Sequence, residues 1–234
     1  MGSSLSPLPR GFGLTVGSLH RVAEQIVAPA RKPDNEIALL PTPGGFGTPE
    51  FEFDGARRQV RVDGVELVQA VDGEERRAPL SSLPQAASAV AELLPAPVLD
   101  PAPLDVDPVA AAVLAAWYAF GEGVLRALLA TATEGDAASE PILWPEHFDI
   151  AVELGDEAAG ERATYGLSPG DESHPEPYAY VAPWRPGVEG ELWSAVGFAG
   201  AELGYAELAA APDPQAAVLD FFQTRRRALA PAAT

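Results

Sequence analysis

Hydrophobic positions along the chain change period several times, and each change predicts an element. After Ser18, read as an N-cap, Leu19, Val22, Ile26 and Ala30 recur at helical spacing as far as Arg31, with Pro29 and Pro33 ending that helix. Glu36 to Leu40 reads as a short strand, and Pro41 to Pro49 as a glycine-rich loop free to take positive φ. From Phe51 the period falls to two. Phe51 and Phe53 alternate with Glu52 and Asp54, Val60 and Val62 with Arg61 and Asp63, and Val65, Leu67 and Gln69 follow. Asp54-Gly55, Asp63-Gly64 and Asp72-Gly73 supply the hairpin turns of this β-meander. A short helix from about Pro84 to Leu94 closes it, ahead of a proline-rich crossing from Pro95 to Pro103.

Asp107-Pro108 then places an N-cap before a proline at the first helical position. The helix runs from Val109 to about Ala130. It is apolar on nearly every side as far as Phe120, which predicts burial on several faces. Beyond it, Glu122 and Arg126 are spaced to pair, and Glu134 to Glu140 reads as a solvated loop. The second half repeats the plan of the first. Phe148, Ile150 and Val152 alternate with polar neighbours. Ala163 to Leu167, Tyr178 to Ala182, Leu192 to Phe198 and Glu202 to Leu208 read as strands, and a last helix spans about Pro214 to Leu229. The predicted fold class is α+β: two antiparallel β-meanders, each closed by a helix, packed around a buried central helix. The chain reads as one domain, 1–234, with halves at about 15–103 and 141–230 joined by the central helix at about 107–131. Both closing helices begin Pro-Gln-Ala-Ala, a match that duplication and coincidence explain equally well.

Composition narrows the function classes. Thirty-four acidic against 15 basic residues give a net charge of −19, a field that repels nucleic acid. The one basic run, Arg225-Arg226-Arg227, falls late in the last helix, where it offsets the helix dipole. With no cysteine, disulfides, thiol catalysis and cysteine-held metals are excluded. Met1 to Arg10 lacks the basic start and apolar core of a signal peptide, and the longest apolar run, Val109 to Phe120, is too short to span a bilayer. The expected setting is the cytoplasm, without membrane or nucleic-acid partners, and with a homodimer through the apolar face of the second meander as one partner arrangement.

Candidate chemistry gathers in two stretches. His20, on the first helix, reads as a partly exposed, hydrogen-bonded side chain without a role. In Leu143-Trp144-Pro145-Glu146-His147-Phe148-Asp149-Ile150, a strand would put His147 and Asp149 on one face and Phe148 and Ile150 in the core. The second stretch, Tyr165 to Val181, is a turn-rich loop leading into a strand with Glu176, Tyr178 and Tyr180 on one face. If the two strands are neighbours, His147, Asp149, Asp171, His174 and Glu176 surround one site. Trp144, Tyr178, Tyr180 and Trp184 then form its walls. Trp144, Tyr178, Tyr180, Trp184 and Asp171 are the ligand-binding candidates. His147, Asp149, His174 and Glu176 are the metal candidates, a set suited to Zn, Mn or Fe. The same residues could move protons without a metal, or simply form turns and caps. Ser168, Asp171 and His174 have triad residue types without the Gly-x-Ser-x-Gly elbow, and Gly44 to Thr48 could cradle a phosphate but has no following lysine.

Three segments carry a resemblance: Gly44-Gly45-Phe46-Gly47-Thr48-Pro49, Leu143 to Asp149, and Ser168-Pro169-Gly170-Asp171 through His174-Pro175-Glu176-Pro177-Tyr178 to Pro183-Trp184. Together they resemble an uncharacterised protein family of high-GC Gram-positive bacteria, over most of the chain from about Leu19 onward. The resemblance implies a shared site at those segments and no particular activity. Where members follow the strand aromatics with an Asn-Ala-Pro-Phe-Gly type of stretch, this chain has Leu192-Trp193-Ser194-Ala195-Val196-Gly197-Phe198. Two functions compete: a small-ligand binding or scaffold protein with an aromatic-lined polar pocket, and a metal-assisted hydrolase or isomerase.

Overall fold

The computed structural model describes residues 5–34, 36–94 and 99–230; residues 1–4 of the start and 95–98 of the proline-rich crossing lie outside it. In chain order the elements are α1 (Phe12–Val22, continued by a π-turn Ala23–Val27), β1 (Leu40–Thr42), β2 (Gly45–Gly47), β3 (Phe51–Phe53), β4 (Ala56–Asp63), β5 (Glu66–Val71) and β6 (Glu74–Pro79). After them come α2 (Leu83–Ala87), α3 (Pro108–Leu129), β7 (Ile142–Trp144), β8 (Asp149–Leu154), β9 (Ala163–Ser168), β10 (Tyr178–Pro183), β11 (Ala201–Gly204), α4 (Tyr205–Ala210) and α5 (Pro214–Leu229). The chain is α+β, with two antiparallel sheets. The first runs β1-β2-β4-β5-β6 with β3 also on β4, and the second runs β11-β10-β9-β8-β7. A bridge between Leu39 and Leu143 links the two.

The sharpest local signals hold. Asp54-Gly55 and Asp72-Gly73 have positive φ at both positions, as tight hairpins demand. Asp107 caps α3 by accepting from the amides of Val109 and Ala110 at 2.9 Å, and Glu122 pairs with Arg126 one turn on. Other expectations change. The first helix begins at Phe12, and Ser18 lies inside it, where its hydroxyl accepts from the Asp105 amide at 2.9 Å. Glu36 to Leu40 is not a strand; pairing starts with the Leu39 bridge, and β1 begins at Leu40. The glycine-rich loop contains β2, whose Gly45 and Gly47 leave no room for a Cβ: one would sit 2.6 Å from the Val62 carbonyl and the other 2.5 Å from Arg61 Cβ. These glycines let β2 press on β4 while Phe46 enters the core, so the segment is a sheet element and no phosphate cradle. The entirely polar Glu74 to Arg77 forms edge strand β6. Arg77 there reaches Asp63, Glu66 and Glu75 at 2.7–3.1 Å. Leu192 to Phe198 is irregular, and Tyr205 to Leu208 is helical, burying Tyr205 and Leu208 three residues apart.

Among the described residues, α3 is the one helix long and apolar enough to cross a membrane, at 22 residues and a mean hydropathy of 1.4. It packs against both sheets and against α1 and α5. It lies so close on the second sheet that a Cβ at Gly121 would meet Ile150 at 2.9 Å. Alternation does the rest. Ile150, Val152, Leu154, Tyr165, Leu167, Ala179 and Val181 turn inward under α3 and α5 and are buried, so the apolar face of this sheet is already covered within the chain. The arginine run at the end of α5 is also engaged: Arg226 binds Asp136 at 2.7 Å, and Arg225 lies 4.0 Å over the Phe221 ring.

Candidate functional site

The outward face of the second sheet carries the site. Its register aligns Ile142, Ala151, Gly166, Tyr180 and Glu202 in one row across β7, β8, β9, β10 and β11. The two small residues make a trough, and the Tyr180 ring lies in it. A Cβ on Gly166 would fall 2.5–2.6 Å from three atoms of that ring. From there the Tyr180 hydroxyl donates to Asp149 Oδ2 at the start of β8. Above them opens a cavity of about 630 Å³, lined by Trp144, Glu146, His147, Asp149, Ser168, Asp171, His174, Tyr178, Tyr180 and Phe198 among others. No lysine or arginine among the described residues lines it.

Asp149 is the buried charge of this site. It is 5% exposed, and its Oδ1 finds no hydrogen-bond donor. Burial pushes its pKa up, opposed by the Tyr180 hydroxyl, the field of His147, its own backbone amide and the field of His20. Tyr180 and Tyr118 are held far from ionisation by burial and by the facing Asp149 charge. Tyr178 is raised too, by burial, with the Ser168 hydroxyl working against it.

Two helices fix the hairpin that presents Asp149. Phe148, the residue before it, is fully buried with φ of 54°, a left-handed conformation uncommon for a bulky side chain. The Tyr118 hydroxyl on α3 donates to the Phe148 carbonyl at 2.7 Å. His20 on α1 donates from Nε2 to the Pro145 carbonyl at 2.8 Å and stacks on the Phe148 ring. His20, expected to have no role, therefore supports the site from behind. Trp117, next to Tyr118, donates to the Ser168 carbonyl at 3.0 Å and so anchors the end of β9 on the far side of the cavity.

The other candidates divide. His147 lines the cavity, but from a turn instead of a strand, because the left-handed Phe148 breaks the alternation. His174 stacks on Tyr178 at 4.1 Å, and its Nδ1 faces Glu202 Oε2 at 3.7 Å. Asp171 borders the cavity as a turn former. Against the cost of burial, the Ser173 hydroxyl and the amides of His174 and Ser173 keep its pKa low. With Asp171 bound there and Ser168 Oγ accepting from the Gly170 amide at 3.1 Å, neither contact makes a Ser-His-Asp relay. Glu176 is exposed and off the cavity. So is Trp184, which lies beyond β10 over the Arg162 guanidinium at 4.7 Å and is no wall of this site. His147, Asp149, His174 and Glu176 are not gathered: among the described residues no group of three or more His, Asp or Glu side chains is placed to hold a metal ion.

Compared with family profiles, curated proteins and solved structures, the chain matches none.

Gly166→Ala tests the trough. The added methyl is expected to force the Tyr180 ring aside, part it from Asp149 and cost about 1–3 kcal/mol of stability. In a spectrophotometric phenol titration one more tyrosine than in the parent would then ionise in the ordinary range. An unchanged titration curve would mean that the trough does not position the ring.

Proposed function

We propose that the protein is a cytosolic small-ligand binding protein whose pocket is the outward face of its second sheet. One observation carries the reading: a buried carboxylate, Asp149, held by Tyr180 on one oxygen and lacking a donor on the other, on the lining of a ligand-sized cavity. A fold has little reason to bury such a group for stability, since an unsatisfied buried charge is costly. Trp144, Tyr178, Tyr180 and Phe198 supply aromatic surface, and Tyr178–Tyr180 and Tyr180–Phe198 have ring centroids 6.1 Å apart. The scattered His and carboxylate groups favour this reading over a metal-assisted hydrolase or isomerase. The same reading treats the two sheets as meander halves closed on α3, with the pocket belonging to the second half. The resemblance of the segments at 143–149 and 168–184 supports it as well, because both segments border the cavity.

The test is a thermal-shift screen of a metabolite library against the parent, Asp149→Asn and Tyr180→Phe. Compounds that raise the Tm of the parent but not of either variant are expected. Hits that act equally on all three would place binding elsewhere on the molecule.

A further inference from the structure

Resting on the binding reading above, we propose that the pocket takes a protonated amine carried on an apolar or aromatic body, with Asp149 as its counter-ion. The chemistry is set by what the cavity has and lacks. Oδ1 of Asp149 has no donor, while Oδ2 already accepts from Tyr180, so the missing contact is an N–H or O–H from a ligand. The charges bordering the cavity select between those two. Glu146, Asp149, Glu153 and Asp171 line it, Glu153 is taken up by the Arg162 guanidinium at 2.7 Å, and among the described residues no lysine or arginine lines it, the basic groups there being His147 and His174. An anion would meet the carboxylates of Glu146, Asp149 and Asp171. A cation is attracted by them and by the long-range field of a chain carrying −19.

The aromatic walls point the same way. A ring face attracts a positive charge as well as an apolar body, so Tyr178, Tyr180 and Phe198 can hold the carbon skeleton and still favour the ammonium end. Tyr178 is backed by the stacked His174 ring, and Tyr180 by the edge of Phe198. Neither ring therefore has to be ordered when the ligand arrives, which lowers the entropic cost of binding. An amine also resolves the electrostatic position of Asp149. Its ionised form is disfavoured by burial and is restored by a positive partner.

The experiment compares two probes of nearly equal shape, phenethylamine (an ammonium at neutral pH) and the uncharged 2-phenylethanol. Each is titrated into protein labelled with 13C at the tyrosine rings. Signals of Tyr178 and Tyr180 are assigned by substitution to Phe. The amine is expected to move both signals saturably and to bind at least about tenfold more tightly than the alcohol. Asp149→Asn, checked for folding by circular dichroism, should bring the amine down to the affinity of the alcohol. Equal binding of the two probes, or an amine preference that survives Asp149→Asn, overturns the proposal. The library screen separates the two readings. Neutral or anionic hits that move the same tyrosine signals, with the alcohol at least equal to the amine, keep the binding function and remove the amine. No movement of those signals with any compound removes both.

Discussion

Phe148→Ala is expected to lower stability by about 3–5 kcal/mol, the usual cost of deleting a fully buried aromatic side chain. Its ring is 1% exposed, stacks on His20 at 5.0 Å and meets the rings of Phe46 and Tyr118 edge-on at 5.1 and 5.6 Å. At about 2–4 °C per kcal/mol for a chain of this size, Tm should fall by roughly 6–20 °C. The left-handed backbone gives no relief, because alanine is strained at a φ of 54° as well. Two effects should appear together. Loss of the ring frees His20 and loosens the 145–148 turn, so the tyrosine signal of Tyr180 should shift along with the drop in Tm. A loss below about 1 kcal/mol would show that the hairpin is not anchored through this ring.

Asp149→Asn should behave in the opposite sense, with a pH signature. Burial raises the folded-state pKa of Asp149 above its unfolded value, opposed by Tyr180, His147, its own backbone amide and His20. The folded protein therefore holds this proton more tightly than the unfolded chain. The stabilisation is fully present below the unfolded pKa and is lost as pH rises through the folded one. Asparagine keeps an acceptor for the Tyr180 hydroxyl and never ionises. The difference in Tm between variant and parent should thus grow from about pH 4 upward, near the ordinary Asp value, and level off above the folded pKa. Burying an uncompensated ion costs up to several kcal/mol, so the variant should be the more stable protein at pH 8 by a few degrees or more. A difference that is flat or falls with pH would mean that Asp149 is not a buried, poorly compensated acid. A substitution that strengthens the fold and weakens the pocket is the mark of a residue kept for function.

Parts of this fold could be read from the chain because they rest on local chemistry. Asp107-Pro108, the Asp-Gly turns and the helix from Pro214 each act through neighbours within four residues. Ser18 failed as a cap because a distant amide, that of Asp105, claims its hydroxyl within the helix. Strand β6 was missed because Glu74 to Arg77 has no apolar alternation, and Arg77 finds Asp63 and Glu66 only once β4 and β5 lie beside it. At the site, Trp144, Asp149, Asp171, His174, Tyr178 and Tyr180 followed from strand parity and turn composition. His147 reaches the cavity as parity expects, though from a turn, since nothing in the sequence marks a phenylalanine for left-handed backbone. Parity misplaced Trp184 because β10 ends before it. The roles of His20, Tyr118, Gly166 and Glu202 depend on which strands and helices meet, information that no local pattern holds.

Trp117 and Tyr118 are neighbours on one helix, and they hold the two carbonyls that flank the cavity, at Ser168 and Phe148. Successive side chains on a helix diverge by about 100°, so the two anchors project from a single rigid turn at a set angle. This one helix therefore helps to set the gape of the pocket from behind, through backbone and not through the side chains that line it. Trp144, Tyr178 and Phe198 can be exchanged to re-specify the guest while the frame keeps its dimensions, which makes this face a ready starting point for designed binding sites.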